Sequence, residues 1–238
     1  MLGFLNGIAS ANQRSASEIP TQIGGLQLWL DASDQASITQ AGGAVIQWDD
    51  KSGHGFHATQ ATGADQPLTN SDTLNGLNVI QYANDFLNIP PTSYKTLIFA
   101  VKSLNMLGIS PIVGGSGSFD NEYVFVNSNK LDADYDISVD GSAGKIANVY
   151  FGEGRSGYGD NINLGNTNAQ NESAAIWAVD YTTTNHADYI GAFGQGGTTK
   201  LSGKIAEMMF YDRRLSPQEF NLIGQYLADK WSLTWTHI

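Results

Sequence analysis

The sequence predicts an all-β protein, an antiparallel sandwich or barrel completed by one C-terminal helix. Three observations predict it. Short runs of β-branched and aromatic residues recur between residues 26 and 211. Turn formers such as Asn75-Gly76, Asp140-Gly141 and Gly194-Gln195-Gly196-Gly197 separate them. A helical periodicity appears only once, after Ser216. Strands that follow one another without intervening helices pair antiparallel.

Taken in order, residues 1–23 read as an N-terminal arm and residues 24–238 as one domain. The arm opens on Leu2, Phe4, Leu5 and Ile8, which could dock on a partner, a frayed terminus being the alternative, and continues through a polar stretch around Arg14. Its only early base follows the apolar part, so a secretory signal is not expected. Leu26-Gln27-Leu28-Trp29-Leu30 alternates after Gly24-Gly25 and reads as a half-buried strand. Thr96-Leu97-Ile98-Phe99-Ala100-Val101 is continuous, as for a strand buried on both faces. Tyr123–Val126, Tyr135–Val139, Ile146–Phe151, Ala174–Val179, Tyr189–Phe193 and Ile205–Tyr211 complete the set. The helix is expected over about 216–230. Ser216-Pro217-Gln218-Glu219 is a capping box with proline at the first helical position. Phe220, Ile223, Leu227 and Trp231 then form one apolar stripe, expected to lie on the sandwich.

Composition narrows the function. Cysteine is absent, which removes disulfides and thiolate metal sites. Twelve Lys+Arg against 23 Asp+Glu give a net charge of −11, which repels phosphate backbones and anionic lipid. Nucleic acid and membrane are therefore not expected partners. No apolar run reaches the roughly 20 residues that cross a bilayer.

Two blocks at the ends carry a resemblance. The first is Leu28-Trp29-Leu30-Asp31-Ala32-Ser33-Asp34, then Trp48-Asp49-Asp50-Lys51-Ser52-Gly53, His57-Ala58-Thr59-Gln60, Gln66-Pro67 and Leu74-Asn75-Gly76. The second is Gly203-Lys204-Ile205-Ala206-Glu207, Phe210-Tyr211-Asp212-Arg213-Arg214-Leu215-Ser216, Glu219 and Tyr226-Leu227-Ala228-Asp229-Lys230-Trp231. In this order they resemble laminin-G-like domains of the concanavalin A-like lectin/glucanase superfamily, as found in phage structural proteins and bacterial surface proteins. The resemblance implies a jelly-roll sandwich of two curved antiparallel sheets, with the terminal strands near each other. One fold hosts many functions, so it implies little about chemistry.

Within these blocks Trp29 and Trp48 read as core aromatics in place of sugar platforms. Asp49, Asp50 and Ser52 read as turn chemistry, and calcium is the alternative for Asp49 and Asp50 as for Asp31 and Asp34.

Glycanases on this fold place acid and nucleophile on one strand in a Glu-x-Asp-x-x-Glu pattern, since retaining chemistry needs two carboxyls about 5 Å apart. That pattern is absent. Glu122, Glu153, Glu172, Glu207 and Glu219 each lack an acidic partner nearby in sequence, and Glu207 reads as a salt-bridged or edge glutamate. Asp132, Asp134 and Asp136 share one strand face and could hold calcium through oxygens, or form a solvated acidic face. Ile137 and Ala143 occupy the positions where an EF-hand needs glycine and glutamate. Neither a nucleophile elbow nor a phosphate loop occurs, and His54 and His57 alone do not make a zinc site. Arg155 and Tyr158, in the glycine-rich stretch 152–160, are the candidate glycan contacts, a plain connecting loop being the alternative.

The expectation is a non-enzymatic virion structural or adhesion protein, a phage tail or capsid-surface component attached to other virion proteins by its arm. A homo-oligomer fits that setting, although no heptad encodes one. A free glycan-binding module of a bacterial cell surface or extracellular protein is the alternative, and a polysaccharide hydrolase or lyase ranks last. No cofactor is required, with calcium the one candidate ion.

Overall fold

The computed structural model describes residues 19–102, 109–115, 123–129, 134–139, 146–151, 155–157, 161–163, 174–193, 197–235 and 237–238. A short helix α1 (Ile19–Gln22) precedes β1 (Leu26–Asp31), β2 (Ile38–Ala41), β3 (Ala44–Trp48) and β4 (Ala58–Thr59). β5 (Thr73–Leu74) and β6 (Leu77–Asn78) form a small hairpin of their own, followed by β7 (Ile80–Asp85) and the long β8 (Leu87–Lys102). Then come β9 (Ile109–Gly114), β10 (Tyr123–Asn129), β11 (Asp134–Val139), β12 (Ile146–Phe151), β13 (Arg155–Gly157) and β14 (Asn161–Asn163). The chain returns through β15 (Ala175–Ile190), β16 (Ala192–Phe193) and β17 (Thr199–Tyr211) to helix α2 (Pro217–Trp231). The fold is thus all-β and antiparallel, with one long C-terminal helix where the capping box places it.

Fifteen strands form one continuous sheet that curls into two layers. One layer runs β12, β15, β8, β17, β1; the other runs β2, β3, β4, β8, β15, β9, β10, β11, β14. β8 and β15 belong to both. Their ladder holds from Ala175↔Val101 to Asp180↔Thr96, breaks, and resumes at Asn185↔Tyr94. The backbone turns from one layer into the other at that break. Several polar side chains bond across it: Thr96 Oγ1 donates to the Arg213 carbonyl, Asn185 donates to Tyr94 Oη, and Arg214 Nε donates to Asp180 Oδ2. Pro90 and Pro91 lie beside a second irregularity between Ala187 and Tyr189, where a missing amide is tolerated.

The period of two places β8 between two cores. Leu97, Phe99 and Val101 face the space between the layers, with Leu28, Leu30, Trp48, Ile112 and Phe210. Ile98 and Ala100 face the other way, onto α2. Phe220, Ile223, Leu227 and Trp231 of the helix are all buried against Trp29, Met209 and Tyr211. Trp29 and Trp48 are core residues, as their strand positions predict. Of the expected arm, residues 1–18 lie outside the described residues. Ile23 is buried on the α2 side, and Tyr211 Oη donates to the Pro20 carbonyl.

The outer edge of β1 is covered by the loop that follows β3. Asp50 accepts from the amides of Trp29, Ser52 and Phe56 and from Ser52 Oγ. The Lys51 amide donates to the Trp29 carbonyl, and Ser52 Oγ to that of Gln27. This is the turn chemistry expected of Asp50 and Ser52, used here to close a strand edge that would otherwise stay unpaired. Asp49 accepts from Gln47.

Candidate functional site

The most concentrated group of ionisable side chains lies where β1, β17 and α2 meet. Asp31 and Glu207 are direct partners across the β1–β17 ladder. A bulge between Ile205 and Glu207 in the β8–β17 ladder interrupts the alternation of β17. Glu207 is fully buried, and both of its oxygens are used twice. Oε1 accepts from Trp29 Nε1 at 2.7 Å and from Tyr226 Oη at 2.7 Å. Oε2 accepts from Lys230 Nζ at 2.8 Å and from Trp231 Nε1 at 2.8 Å. Tyr226 and Lys230 are four residues apart on α2 and so share one face of it.

Lys230 Nζ also reaches Asp31 Oδ1 at 2.7 Å and lies 3.1 Å from Tyr226 Oη. Asp31 Oδ1 further accepts from Ser33 Oγ at 2.6 Å and from the Ser33 amide at 3.1 Å, while Oδ2 accepts from Lys51 Nζ at 2.9 Å. Lys51 pairs in addition with the half-exposed Asp34 at 2.8 Å.

Burial and the neighbouring Asp31 carboxylate push the Glu207 carboxyl above its ordinary range, with Lys230 acting against them. Burial works against ionised Asp31 too, but Lys230, Ser33 and Lys51 together hold it below its ordinary range. Two carboxyls whose environments set them apart are the usual ingredients of acid–base chemistry. Here, however, every acceptor position of Glu207 is filled from within, so it can fasten the helix to the sheet and exchange a proton with Lys230. It has no face left for a substrate.

Glu207 is salt-bridged, as expected. The companion expectation, that it lacks a carboxylate mate, is corrected: Asp31 is that mate, supplied by another strand. Tyr226 and Lys230 are not singled out by sequence reasoning. The available signal is a glutamate inside the apolar run Ile205–Tyr211 and a lysine beside the apolar stripe of α2.

Of the other candidates, Arg155 opens β13, opposite Phe151 of β12. Asp134 and Asp136 lie on β11, with Asp136 opposite Asn127 on one side and Asn163 on the other. Tyr158 and Asp132 lie outside the described residues. Among the described residues no group of three or more histidine and carboxylate side chains is arranged to hold a metal ion, and no helix is long and apolar enough to cross a membrane.

No protein-family model matches the chain, and no curated protein matches it. Among solved structures it is similar to a sialidase of Trypanosoma rangeli at 15% identity and a TM-score of 0.44, covering 88% of this chain and 34% of that one. It is also similar to Trypanosoma rangeli sialidase in complex with 2,3-difluoro-KDN, at 13% identity and a TM-score of 0.43, covering 88% and 33%. The chain thus spans about a third of the length of these structures. The expectation that the chain is not an enzyme is corrected on this finding, since both solved structures are glycosidases. Asp31 and Glu207 are a carboxylate pair made by two strands, which a search along one strand does not reach. At this level of identity no reaction passes from those proteins to this one.

Proposed function

We propose that the chain is a glycan-recognising adhesion domain of laminin-G-like type, displayed on the outer surface of a virion. The two end blocks, from Leu28 to Gly76 and from Gly203 to Trp231, support the type, because they resemble laminin-G-like domains of phage structural and bacterial surface proteins.

The observation that carries glycan recognition is the way the sheet branches beside β15. β12 and β13 attach to the first half of β15, while β9, β10, β11 and β14 attach through its last residues. β13 and β14 are separated by residues 158–160 alone, yet they pair in different branches. Arg155 therefore opens the last strand of the first branch, and Tyr158 follows that strand in sequence. The surrounding stretch 152–173 is rich in glycine and asparagine, whose amides suit hydroxyl ligands. Aromatic and arginine groups among such amides are what a sugar ring with its hydroxyls requires. The apolar Leu2, Phe4, Leu5 and Ile8 would attach the domain to other virion proteins.

The test is an array of host-envelope glycans probed with the whole chain, followed by calorimetry on any hit. Arg155→Ala and Tyr158→Ala are expected to weaken binding at least about tenfold, or about 1.4 kcal/mol, with an unchanged melting temperature. Silence across the array, or binding unaffected by both substitutions, would overturn the assignment.

A further inference from the structure

We propose that the folded chain joins Lys230 to Asp31 by a side-chain amide bond, made by the protein itself with Glu207 carrying the proton. The bond would tie the last turn of α2 to the end of β1.

The three groups are already assembled. Lys230 Nζ is 2.7 Å from Asp31 Oδ1 and 2.8 Å from Glu207 Oε2, held there by three separate elements. Oδ1 is bonded to Cγ, so the carbon to be attacked lies one bond beyond the atom that Nζ already touches. Fixing both reactants at contact distance removes most of the entropic barrier to a condensation. The site is also dry: the Asp31 and Glu207 side chains are 5% and 0% exposed and that of Lys230 17%. Trp29, Tyr226 and Trp231 surround Glu207. Replacing a buried ammonium and carboxylate by a neutral amide also removes two desolvated charges, whose burial is costly.

The atoms balance without an added reagent. Nζ passes a proton to Glu207 and its lone pair attacks Asp31 Cγ, forming the C–N bond. Negative charge that gathers on the Asp31 oxygens meets Lys51 Nζ at Oδ2 and Ser33 at Oδ1. One C–O bond then breaks. Its oxygen leaves as water, taking one proton back from Glu207 and a second from the nitrogen. Ammonium and carboxylate have become amide and water, with no change of oxidation state. A carboxyl whose proton affinity is raised by burial, in direct contact with Nζ, is suited to this relay. Lys51 is the wrong nucleophile for the reaction: it pairs with half-exposed Asp34 and makes no contact with Glu207.

The test is the intact mass of the purified full-length chain under denaturing conditions, which does not depend on how any variant folds. The expected mass is lower than that of the sequence by one water, and a tryptic digest should contain a branched peptide joining Asp31 to Lys230. Lys230→Arg, which keeps the charge, and Glu207→Gln should both restore the full mass. A wild-type chain of full mass, with Asp31 and Lys230 recovered in separate peptides after prolonged incubation, would overturn the proposal. A lost water mapped elsewhere, to Lys51 or to ring closure at Asp140-Gly141, would overturn it equally.

Discussion

Asp31 and Glu207 face each other across the β1–β17 ladder, and Lys230 of the helix bonds to both. A like-charged pair in a dry site stands only because the ammonium sits on it and two indoles and a phenol fill the remaining acceptor positions. Removing one member strands the others. Glu207→Ala is expected to destabilise the fold by about 3–5 kcal/mol, as for a buried ion pair broken on one side. Leu222→Ala, on the exposed side of the same helix, should stay within about 0.5 kcal/mol. Urea unfolding followed by tryptophan fluorescence measures both, and a small loss for Glu207→Ala would refute the fastening role.

Acid should weaken the start of α2. The Arg213 ion pair, with help from the Ser216 amide and hydroxyl, lowers the Glu219 carboxyl to about 2 from its ordinary 4.5. A depressed folded value means that the stabilisation is complete above the unfolded value. It drains away as pH falls from about 4.5 towards about 2. Glu207 works in the opposite sense: with its folded value raised, its contribution declines as pH climbs above the ordinary glutamate range. Melting temperatures measured across this range should fall with acid in the wild type and fall less in Glu219→Gln. That variant should also melt lower at neutral pH, having lost the ion pair with Arg213 while a glutamine can still serve the capping box.

Gly224 is the third test. Alanine for glycine inside a helix ordinarily gains up to about 1 kcal/mol. Here a Cβ would collide with Cδ2 and Cε2 of the Trp235 indole, where the C-terminal segment folds back on α2. Gly224→Ala is therefore expected to lose about 1–3 kcal/mol. In the Trp235→Ala background the same substitution should be neutral or favourable, a coupling that a double-mutant cycle reads directly.

Much of this architecture is legible in residue order. The capping box and the Phe220–Trp231 stripe place α2 to within a residue, and the predicted runs from Leu26 to Tyr211 fall on strands, except that Tyr189–Phe193 is broken by a bend at Gly191 between β15 and β16. The length of β8 and β15 is not legible. Pro90-Pro91 and the polar Thr182–His186 lie outside the apolar runs, yet in the structure they belong to the long strands β8 and β15, at or beside the irregularities of their ladder. The Asp31–Glu207 pair is hidden for a different reason. Its members are far apart in sequence, and only the register of β1 on β17, shifted by a bulge, brings them opposite each other. Carboxylate pairs sought along one strand cannot be found when the pair is made by two. Glu207 inside an apolar run is the trace that sequence retains of it.

The strands common to both layers bear on how the polypeptide reaches its native form. β8 lies at the centre of each layer, yet its neighbours β15 and β17 are made only after Ala175 and Thr199. Apart from its single rung to β4, β8 gains no partner among the described residues until the chain has grown past Ala175, so the centre of both layers closes late. Such long-range closure makes for slow, single-step assembly.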